Sequence, residues 1–182
     1  LIHQSSGKTF LGSTPERLGA FRNQMLLTEA LAGSIQRGTT ATEDTIYEKH
    51  LSGSKKDRDE HNFVVKDIEE RLRPLAQSLY RNTHPEIKKL SNVQHLYTPI
   101  RVQLKDDVSM LDVIERLHPT PAVGGYPWDN AAEHIDKLEQ FDRGWYAGPV
   151  GWFNMKGDGE FAVGIRSGLF TQNEAHFFAG CG

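Results

Sequence analysis

The sequence predicts an α+β fold in which helices pack on an antiparallel sheet, and two patterns indicate it. From Lys55 onward, apolar residues recur every three or four positions, which is the spacing of an amphipathic helix. In the last third, the apolar runs 150–155 and 161–170 flank Gly157-Asp158-Gly159, a sequence typical of a hairpin turn. With 182 residues, of which 37% are hydrophobic and 25% charged, the chain is large enough to bury one core.

Turn and breaker residues place the first elements. Residues 8–12 predict a strand that runs into the turn Ser13-Thr14-Pro15-Glu16. A helix is predicted over residues 43–50, between a threonine-rich polar stretch and the break Ser52-Gly53-Ser54. The amphipathic helix that follows is expected to bend or end at Pro74. Its apolar stripe comprises Val64, Ile68, Leu72, Leu75 and Leu79.

The rest of the chain continues the mixed pattern. A loop rich in proline and glycine is predicted over 119–127. The other predicted elements are a strand over 92–104, short helices over 109–117 and 129–138, and a last strand over 176–178. We take residues 1–182 as a single domain. Because the chain opens without methionine and stops directly after an apolar run, we expect this domain to be incomplete at both ends.

Composition and charge exclude several classes of protein. The net charge of -3 comes from interleaved acids and bases, so no basic stripe indicates a nucleic-acid partner. No apolar run approaches the ~20 residues of a membrane helix, and no signal peptide opens the chain. The one cysteine, Cys181, cannot form an internal disulfide. We therefore expect a cytoplasmic protein without a membrane partner. A monomer is favoured over an oligomer.

Glu60 is a candidate ligand for a cation. It lies one helical turn before Val64, at the edge of the apolar stripe, so its carboxylate is expected to lean toward the interior. Because an unpaired buried charge is costly, a metal ion, a basic residue or helix-end amides would have to lie nearby. A structural ion pair or a solvated helix start is the commoner arrangement, and a metal is the alternative.

Arg166 is a candidate anion-binding residue. If Phe161, Val163 and Ile165 face one side of a strand, Arg166 lies on the other side with Ala162 and Gly164. A small anion would fit on that face, since arginine binds carboxylates through two parallel hydrogen bonds. An exposed arginine on the solvent face of a sheet is the alternative.

Other chemistries find little support. The eight histidines show no zinc-binding spacing, and neither a serine nor a cysteine nucleophile has a motif. Gly33-Ser34 and Gly180-Cys181-Gly182 could bind an anion through main-chain N–H groups, although ordinary turns explain such short glycine signals as well.

Eight segments, taken in order, carry a resemblance to a known family. They are FLGSTPERL at 10–18, TEALAGSIQRG at 28–38, DRDEHNFVV at 57–65, NVQHLYTPI at 92–100, LHPTPAVGGYP at 117–127, RGWYAGPVGW at 143–152, GEFAVGIRSGLF at 159–170 and FAGCG at 178–182. They resemble the chorismate-utilising enzymes, which include isochorismate, salicylate, anthranilate and aminodeoxychorismate synthases. The resemblance spans nearly the whole chain and implies the chorismate-binding fold of that family.

Two features favour the isochorismate type within the family. The chain has Thr-Pro-Ala-Val-Gly-Gly at 120–125 where anthranilate-type enzymes usually carry Gly-Thr-x-Ser-Gly-Ala-Pro-Lys, and Trp128 follows Pro127. The segments TEALAG, VQHLYTPI and AGCG are most similar to the menaquinone-pathway enzymes.

The resemblance implies a magnesium-dependent isomerisation of chorismate to isochorismate. A lysine would activate water for attack at carbon two, and a glutamate would protonate the hydroxyl that leaves carbon four. Glu16 matches this general acid, a role that requires a carboxyl group able to hold a proton. Glu60 matches a ligand of Mg²⁺. The residues that match substrate contacts are Tyr146 and Arg166 at the pyruvyl carboxylate, Gly180 as a backbone donor beside them, His95 at the ring, and Gly33 and Ser34 near the reacting hydroxyl.

The chain departs from the family pattern in two respects. No residue matches the catalytic lysine, which lies well upstream of the Thr-Pro-Glu motif, and Lys8 is too close to Glu16 to serve. The remaining magnesium glutamates are expected after the AGCG motif. We therefore expect residues 1–182 alone to bind metal weakly and to give no turnover. The alternatives are another chorismate enzyme, such as a salicylate, aminodeoxychorismate or anthranilate synthase, or a non-catalytic fragment.

Overall fold

The computed structural model describes residues 2–180, without the side chain of His3. Along these residues the elements are, in chain order, β1 (Ile2–Ser5), β2 (Lys8–Gly12), β3 (Arg17–Arg22), β4 (Met25–Gln36), α1 (Ala41–Gly53), α2 (Lys55–Leu72), a 3-10 turn (Arg73–Leu75), β5 (Ala76–Arg81), β6 (Glu86–Lys89), β7 (Val93–Leu104), α3 (Met110–Leu117), α4 (Pro121–Gly124), α5 (Trp128–Leu138), β8 (Pro149–Phe153), β9 (Gly159–Val163), β10 (Ser167–Phe170) and β11 (Ala175–Phe178). The mixture of helices and antiparallel strands confirms the predicted α+β class.

The chain divides into two compact units. The first comprises Leu1–Asn23 and Ser109–Gly182, and the second comprises Gln24–Val108. The single domain predicted over 1–182 stays a prediction. None of the helices within residues 2–180 combines the length and apolar character needed to cross a membrane.

The first unit contains two sets of antiparallel strands. One is a four-stranded sheet in the order β1-β2-β10-β11, and in the other β9 lies between β3 and β8. Helix α3 packs against β3. It begins at a capping box in which Ser109 and Asp112 each bond the other's backbone N–H. Phe10 and Val163 are among the buried residues of this unit.

The second unit is built around the long strand β7. This strand pairs with β4, β5 and β6, and helix α2 packs on β4 and β7. Alternate residues of β7 are buried, including Leu96 and Ile100, because successive side chains of a strand point to opposite faces.

An ion-pair cluster joins three elements of the second unit. Asp44 on α1 accepts two hydrogen bonds from Arg37, at 2.7 and 3.0 Å, and one from Nζ of Lys89 at 3.0 Å. The hydrogen bond from Arg37, followed by that from Lys89, holds the pKa of Asp44 well below its usual range. Arg37 follows β4 and Lys89 ends β6, so the cluster ties both strands to α1.

Several predicted elements are confirmed. The strand over 8–12 is β2, the strand over 92–104 is β7, and the helix over 109–117 is α3. The Gly-Asp-Gly signal at 157–159 lies at the hairpin between β8 and β9.

Three predictions about element boundaries are wrong. The apolar stripe does not continue as helix through Leu75 and Leu79. The expected end of this helix at Pro74 is nevertheless confirmed, because α2 ends at Leu72 and Pro74 lacks the N–H that the next helical turn needs. The run 161–170 is not one strand, since β9 ends at Val163 and β10 begins at Ser167. The stretch 119–127 is not all loop, because it contains α4.

Candidate active site

A cavity of about 410 Å³ in the first unit brings together four of the residues predicted from the sequence. They are Glu16, Tyr146, Arg166 and Gly180. The remaining lining residues are Ala122, Val123, Glu139, Arg143, Ala147, Ile165, Phe178 and Ala179. The cavity therefore combines two carboxylates, two guanidinium groups and a phenol with an apolar wall.

Glu16 is fixed by hydrogen bonds at its backbone and side chain. Its N–H donates to Oγ1 of Thr14 at 3.1 Å, and its carbonyl accepts from N of Val163 at 3.0 Å. At the side chain, the hydroxyl of Thr120 donates to Oε1 of Glu16 at 3.0 Å. The short turn of the Thr-Pro-Glu motif thus directs the carboxyl group of Glu16 toward the N-terminus of α4.

Tyr146 and Gly180 are in close contact. Tyr146 is only 9% exposed, and its ring stacks on Phe178 with centroids 5.1 Å apart. A Cβ at position 180 would lie 2.5 Å from Oη of Tyr146, so any side chain there would force one of the two groups to move. The glycine thus lets the phenol lie directly against the backbone at position 180.

Arg166 lies in the turn between β9 and β10 rather than on a strand. Its φ is +51°, and its carbonyl accepts a hydrogen bond from N of Ser13 at 3.1 Å. The expectation that Arg166 alternates with Phe161 and Val163 along a strand is therefore wrong, because the chain turns before residue 166. The side chain is nevertheless exposed and lines the cavity, as an anion-binding residue requires.

The sequence analysis missed an ion pair in the wall of this cavity. Nε and Nη2 of Arg143 donate to the two carboxylate oxygens of Glu139, both at 2.6 Å, and Nη1 donates to the Val123 carbonyl at 2.9 Å. The hydrogen bond from Arg143 lowers the pKa of Glu139 and, in return, raises that of Arg143. The local signal was a Glu four residues before an Arg, although the pair lies beyond the end of α5 at Leu138 rather than within a helix. Thr120 had no local signal, because its partner Glu16 lies 104 positions away.

In the second unit, the structure brings Gly33, Ser34 and His95 together. The pairing of β4 with β7 shifts register between Ala32 and Ser34, and Gly33 has a φ of +73°. Such a bulge redirects the next side chain, and Oγ of Ser34 lies 2.7 Å from Nδ1 of His95. A Cβ on Gly33 would also meet Cβ of Asp57 at 3.0 Å.

Helix α2 carries the predicted metal ligand Glu60, whose orientation was predicted wrongly. The buried stripe of the helix begins at His61 and includes Ile68, whereas Glu60 is exposed. Glu60 lies one helical turn before the buried Val64, at the edge of this face. It is exposed because it belongs to the start of α2, where five of the six residues 55–60 are exposed. The buried residue is His61, whose Nε2 lies 2.8 Å from the hydroxyl of Thr98 on β7, and burial lowers the pKa of His61.

The described residues do not by themselves compose a magnesium site. Within residues 2–180, no three His, Cys, Asp or Glu side chains form a group that could hold a metal ion. Glu60 therefore offers a single exposed carboxylate. Of the predicted anion site at 180–182, Cys181 and Gly182 lie outside the described residues.

Comparison with known proteins defines the class. A family model described as chorismate binding enzyme matches residues 1–182, and the chain belongs to this family. It is 48% identical over 173 residues to the salicylate biosynthesis isochorismate synthase of Pseudomonas aeruginosa, covering 95% of this chain and 36% of that protein. It is 42% identical over 179 residues to isochorismate synthase MenF of Bacillus subtilis, covering 98% of this chain and 38% of that protein.

The fold agrees with this family. The structure of MenF, the menaquinone-specific isochorismate synthase from Escherichia coli, matches with a TM-score of 0.89 and 35% sequence identity. The match covers 96% of this chain and 40% of that one. The chain thus spans less than half the length of these relatives, and its fold is the predicted chorismate-binding fold.

Proposed function

We propose that the full-length protein is an isochorismate synthase, which isomerises chorismate to isochorismate. The observation that carries the proposal is the cavity in which a glutamate, Glu16, lies with an arginine, a buried tyrosine and a glycine backbone. Chorismate is a small dianion, and this set supplies both anion-binding groups and an acid. The two relatives compared above bear the name isochorismate synthase.

Arg166, Tyr146 and Gly180 are proposed to bind the pyruvyl carboxylate of the substrate. A guanidinium group can donate two parallel hydrogen bonds to a carboxylate, and a phenol can donate a third. Stacking on Phe178 fixes the direction of the Tyr146 hydroxyl. Because position 180 has no side chain, the Tyr146 hydroxyl lies directly against its backbone, so the two donors are adjacent.

Glu16 is proposed to be the general acid. As water bonds to carbon two, it gives a proton to the base, the ring double bonds shift, and the bond from carbon four to its hydroxyl breaks. Glu16 protonates this hydroxyl, which leaves as water, so one water enters and one departs. The Thr120 hydroxyl holds the carboxyl group in one direction. By the family resemblance the base is a lysine, and no residue of this chain matches it.

Gly33, Ser34 and His95 are proposed to contact the substrate near its ring. The bulge at Gly33 and the hydrogen bond between Ser34 and His95 give these side chains a fixed arrangement. Preorganised polar groups of this kind favour a transition state without reorganisation during the reaction.

Glu60 is the residue of this chain proposed to bind magnesium. Mg²⁺ binds through one or two carboxylates and substrate oxygens while it keeps several waters, so an exposed glutamate is compatible with one ligand position. Bound magnesium would neutralise a substrate carboxylate. Because no complete ligand group lies within residues 2–180, no step is assigned to the metal. Glu60→Gln should weaken the magnesium-dependent rise in melting temperature of the full-length protein, and an unchanged rise would exclude Glu60 as a ligand.

The pathway and the location are part of the same proposal. Menaquinone biosynthesis is supported by the MenF relatives of Bacillus subtilis and Escherichia coli. Salicylate biosynthesis is the second candidate, favoured by the 48% identity to the Pseudomonas aeruginosa protein. The proposed location is the cytoplasm. Loss of menaquinone, or of salicylate, after deletion of the gene would separate the two pathways.

The deciding experiment incubates the full-length protein with chorismate and magnesium and separates the products chromatographically. Glu16→Gln is run alongside. Glu133→Gln is the matched control, since this glutamate is 75% exposed on α5. We expect isochorismate from the wild type and the control, and little from Glu16→Gln. Salicylate, an aminated product or no product from the wild type would contradict the proposed reaction, and an active Glu16→Gln would contradict the role of Glu16.

A further inference from the structure

The side chain of Arg143 connects separate parts of the cavity wall. Its guanidinium contacts Glu139 through two hydrogen bonds, donates to the carbonyl of Val123 at 2.9 Å, and lies 5.7 Å from the ring centroid of Tyr146. Its own carbonyl accepts from N of Tyr146 at 2.8 Å. Because Glu139 balances its charge, Arg143 is better suited to hold the wall in place than to attract an anionic substrate.

The turn that Arg143 contacts also carries the partner of Glu16. The carbonyl of Thr120 accepts from N of Val123 at 3.1 Å and from N of Gly124 at 2.9 Å. This single turn, α4, therefore fixes Thr120 relative to Val123. The hydroxyl of Thr120 donates in turn to Glu16. One continuous series of hydrogen bonds runs from Glu139 through Arg143 and α4 to the carboxyl group of Glu16.

Close packing makes this turn a rigid connection. A Cβ on Gly124 would lie 2.8 Å from the ring of Pro119 and 2.9 Å from the indole of Trp128. A turn packed this tightly moves as one piece, so a displacement at Val123 reaches Thr120.

We propose that Arg143 is a positioning residue of the active site, which holds Thr120 against Glu16 by fixing the carbonyl of Val123. The inference rests on the proposed function, because it concerns the geometry of the proposed acid. Arginine is required for this role, since its planar fork reaches a carboxylate and a carbonyl simultaneously, whereas lysine presents one ammonium group.

The test compares single variants of the full-length protein in the chorismate assay. Arg143→Lys keeps the positive charge and should stay folded, yet kcat should fall roughly 10-fold, because small misplacements of a catalytic group cost this much or more. Thr120→Val, which removes the hydroxyl at nearly constant volume, should cause a similar loss. The matched control is Lys137→Met, which breaks the exposed pair with Glu133, at the same four-residue spacing as Arg143 and Glu139. Its kcat should not change.

A double-mutant cycle separates positioning from general stability. If Arg143 acts through Thr120, the double variant Arg143→Lys with Thr120→Val should have about the kcat of the lower single variant, since the second change has nothing left to disrupt. If the two losses multiply, the residues act independently and the proposal is overturned. A folded Arg143→Lys variant with wild-type kcat would overturn it as well.

The pH dependence of kcat provides a second test of the proposal. A hydroxyl that donates to a carboxyl group favours its ionised form, so removing the donor extends the activity of an acid catalyst to higher pH. In both Thr120→Val and Arg143→Lys, the pH at which kcat declines on the alkaline side should therefore be higher than in the wild type. If this pH rises in Thr120→Val but not in Arg143→Lys, the proposal is contradicted.

A further variant and the wild-type product keep the outcomes distinct. If circular dichroism shows that Arg143→Lys does not fold, Glu139→Gln takes its place, because it disrupts the same series of hydrogen bonds. The double-mutant cycle then combines Glu139→Gln with Thr120→Val, and multiplying losses would again overturn the proposal. The product of the wild-type protein reports on the proposed function itself. If the wild type gives no isochorismate, the proposed function fails; if it gives isochorismate while the losses at 143 and 120 multiply, only the inference about Arg143 fails.

Discussion

Oγ of Ser34 lies 2.7 Å from Nδ1 of His95, and this contact across two paired strands depends on the residue that precedes Ser34. Gly33 forms a bulge at which the register of β4 against β7 shifts by one residue. A regular strand would pair these residues differently, so the backbone conformation of one glycine determines which side chains meet.

Gly33→Ala should lower the free energy of unfolding by about 1–3 kcal/mol, because alanine at a φ of +73° is strained and its Cβ would crowd Asp57. Urea denaturation measures the change. Gly53→Ala is the control in the same unit, since Gly53 ends α1 with open space around its Cβ position. A Gly33→Ala variant as stable as Gly53→Ala would show that the bulge relaxes at no cost.

Ser34→Ala should lower kcat/KM for chorismate by roughly 10-fold without changing the melting temperature. The hydroxyl orients His95, and a loss of about 1–1.5 kcal/mol is typical for one hydrogen bond. Steady-state kinetics on the full-length protein give the value. Ser52→Ala, which removes an exposed hydroxyl bonded to the Glu48 carbonyl, should leave kcat/KM unchanged. Equal effects of the two substitutions would contradict a substrate-binding role for Ser34.

Gly180→Ala should raise KM for chorismate by at least about 10-fold, because the added methyl group occupies the place of the Tyr146 hydroxyl and displaces a proposed carboxylate ligand. Combining it with Tyr146→Phe provides the control. The ring without its hydroxyl leaves room for the methyl group, so Gly180→Ala should raise KM much less in that background. If its effect is undiminished there, the close contact at 2.5 Å is not the cause.

Asp44 should make the protein sensitive to acid. Its pKa is lowered on folding, chiefly by the hydrogen bond from Arg37, so it stabilises the folded state above its unfolded pKa of about 3.9. This contribution is lost progressively as the pH falls below that value toward the pKa of the folded state. Urea denaturation at about pH 5 and pH 3 should show a smaller acid-induced loss for Asp44→Asn than for the wild type. The exposed Asp107→Asn should match the wild type, and a loss in Asp44→Asn as large as in the wild type would contradict this role for Asp44.

Local sequence signals predicted the elements that depend on neighbouring residues. The strand over 92–104, the helix over 109–117 and the turn at 157–159 were each predicted from signals within about ten residues, and all three are confirmed. Strand β4 carries no such signal. Its sequence, MLLTEALAGSIQ, is rich in residues that favour helix, and pairing with β7 overrides that preference.

The sequence predicted which residues line the candidate site, but not how their side chains are arranged. Glu16, Tyr146, Arg166 and Gly180 line one cavity as the family resemblance implied, whereas the two arguments from periodicity failed. Arg166 lies on a turn with positive φ, and Glu60 lies at the exposed start of α2 although Val64, one turn later, is buried. Both errors arose because the local pattern does not show where a strand ends or where along a helix the buried face begins.

The glycine at position 180 bears on how such an enzyme could be redesigned. At position 180 the main chain itself lines the cavity, next to Oη of Tyr146. Any substitution of Gly180 adds a side chain that narrows the cavity, so a library of variants at this position would yield mostly inactive proteins. Ala122 and Val123 present small apolar side chains to the same cavity, but their turn also carries Thr120, whose hydroxyl donates to Glu16. Larger side chains at 122 and 123 would therefore change the shape of the cavity and the direction of the Glu16 carboxyl group together, so the two properties could not be altered separately.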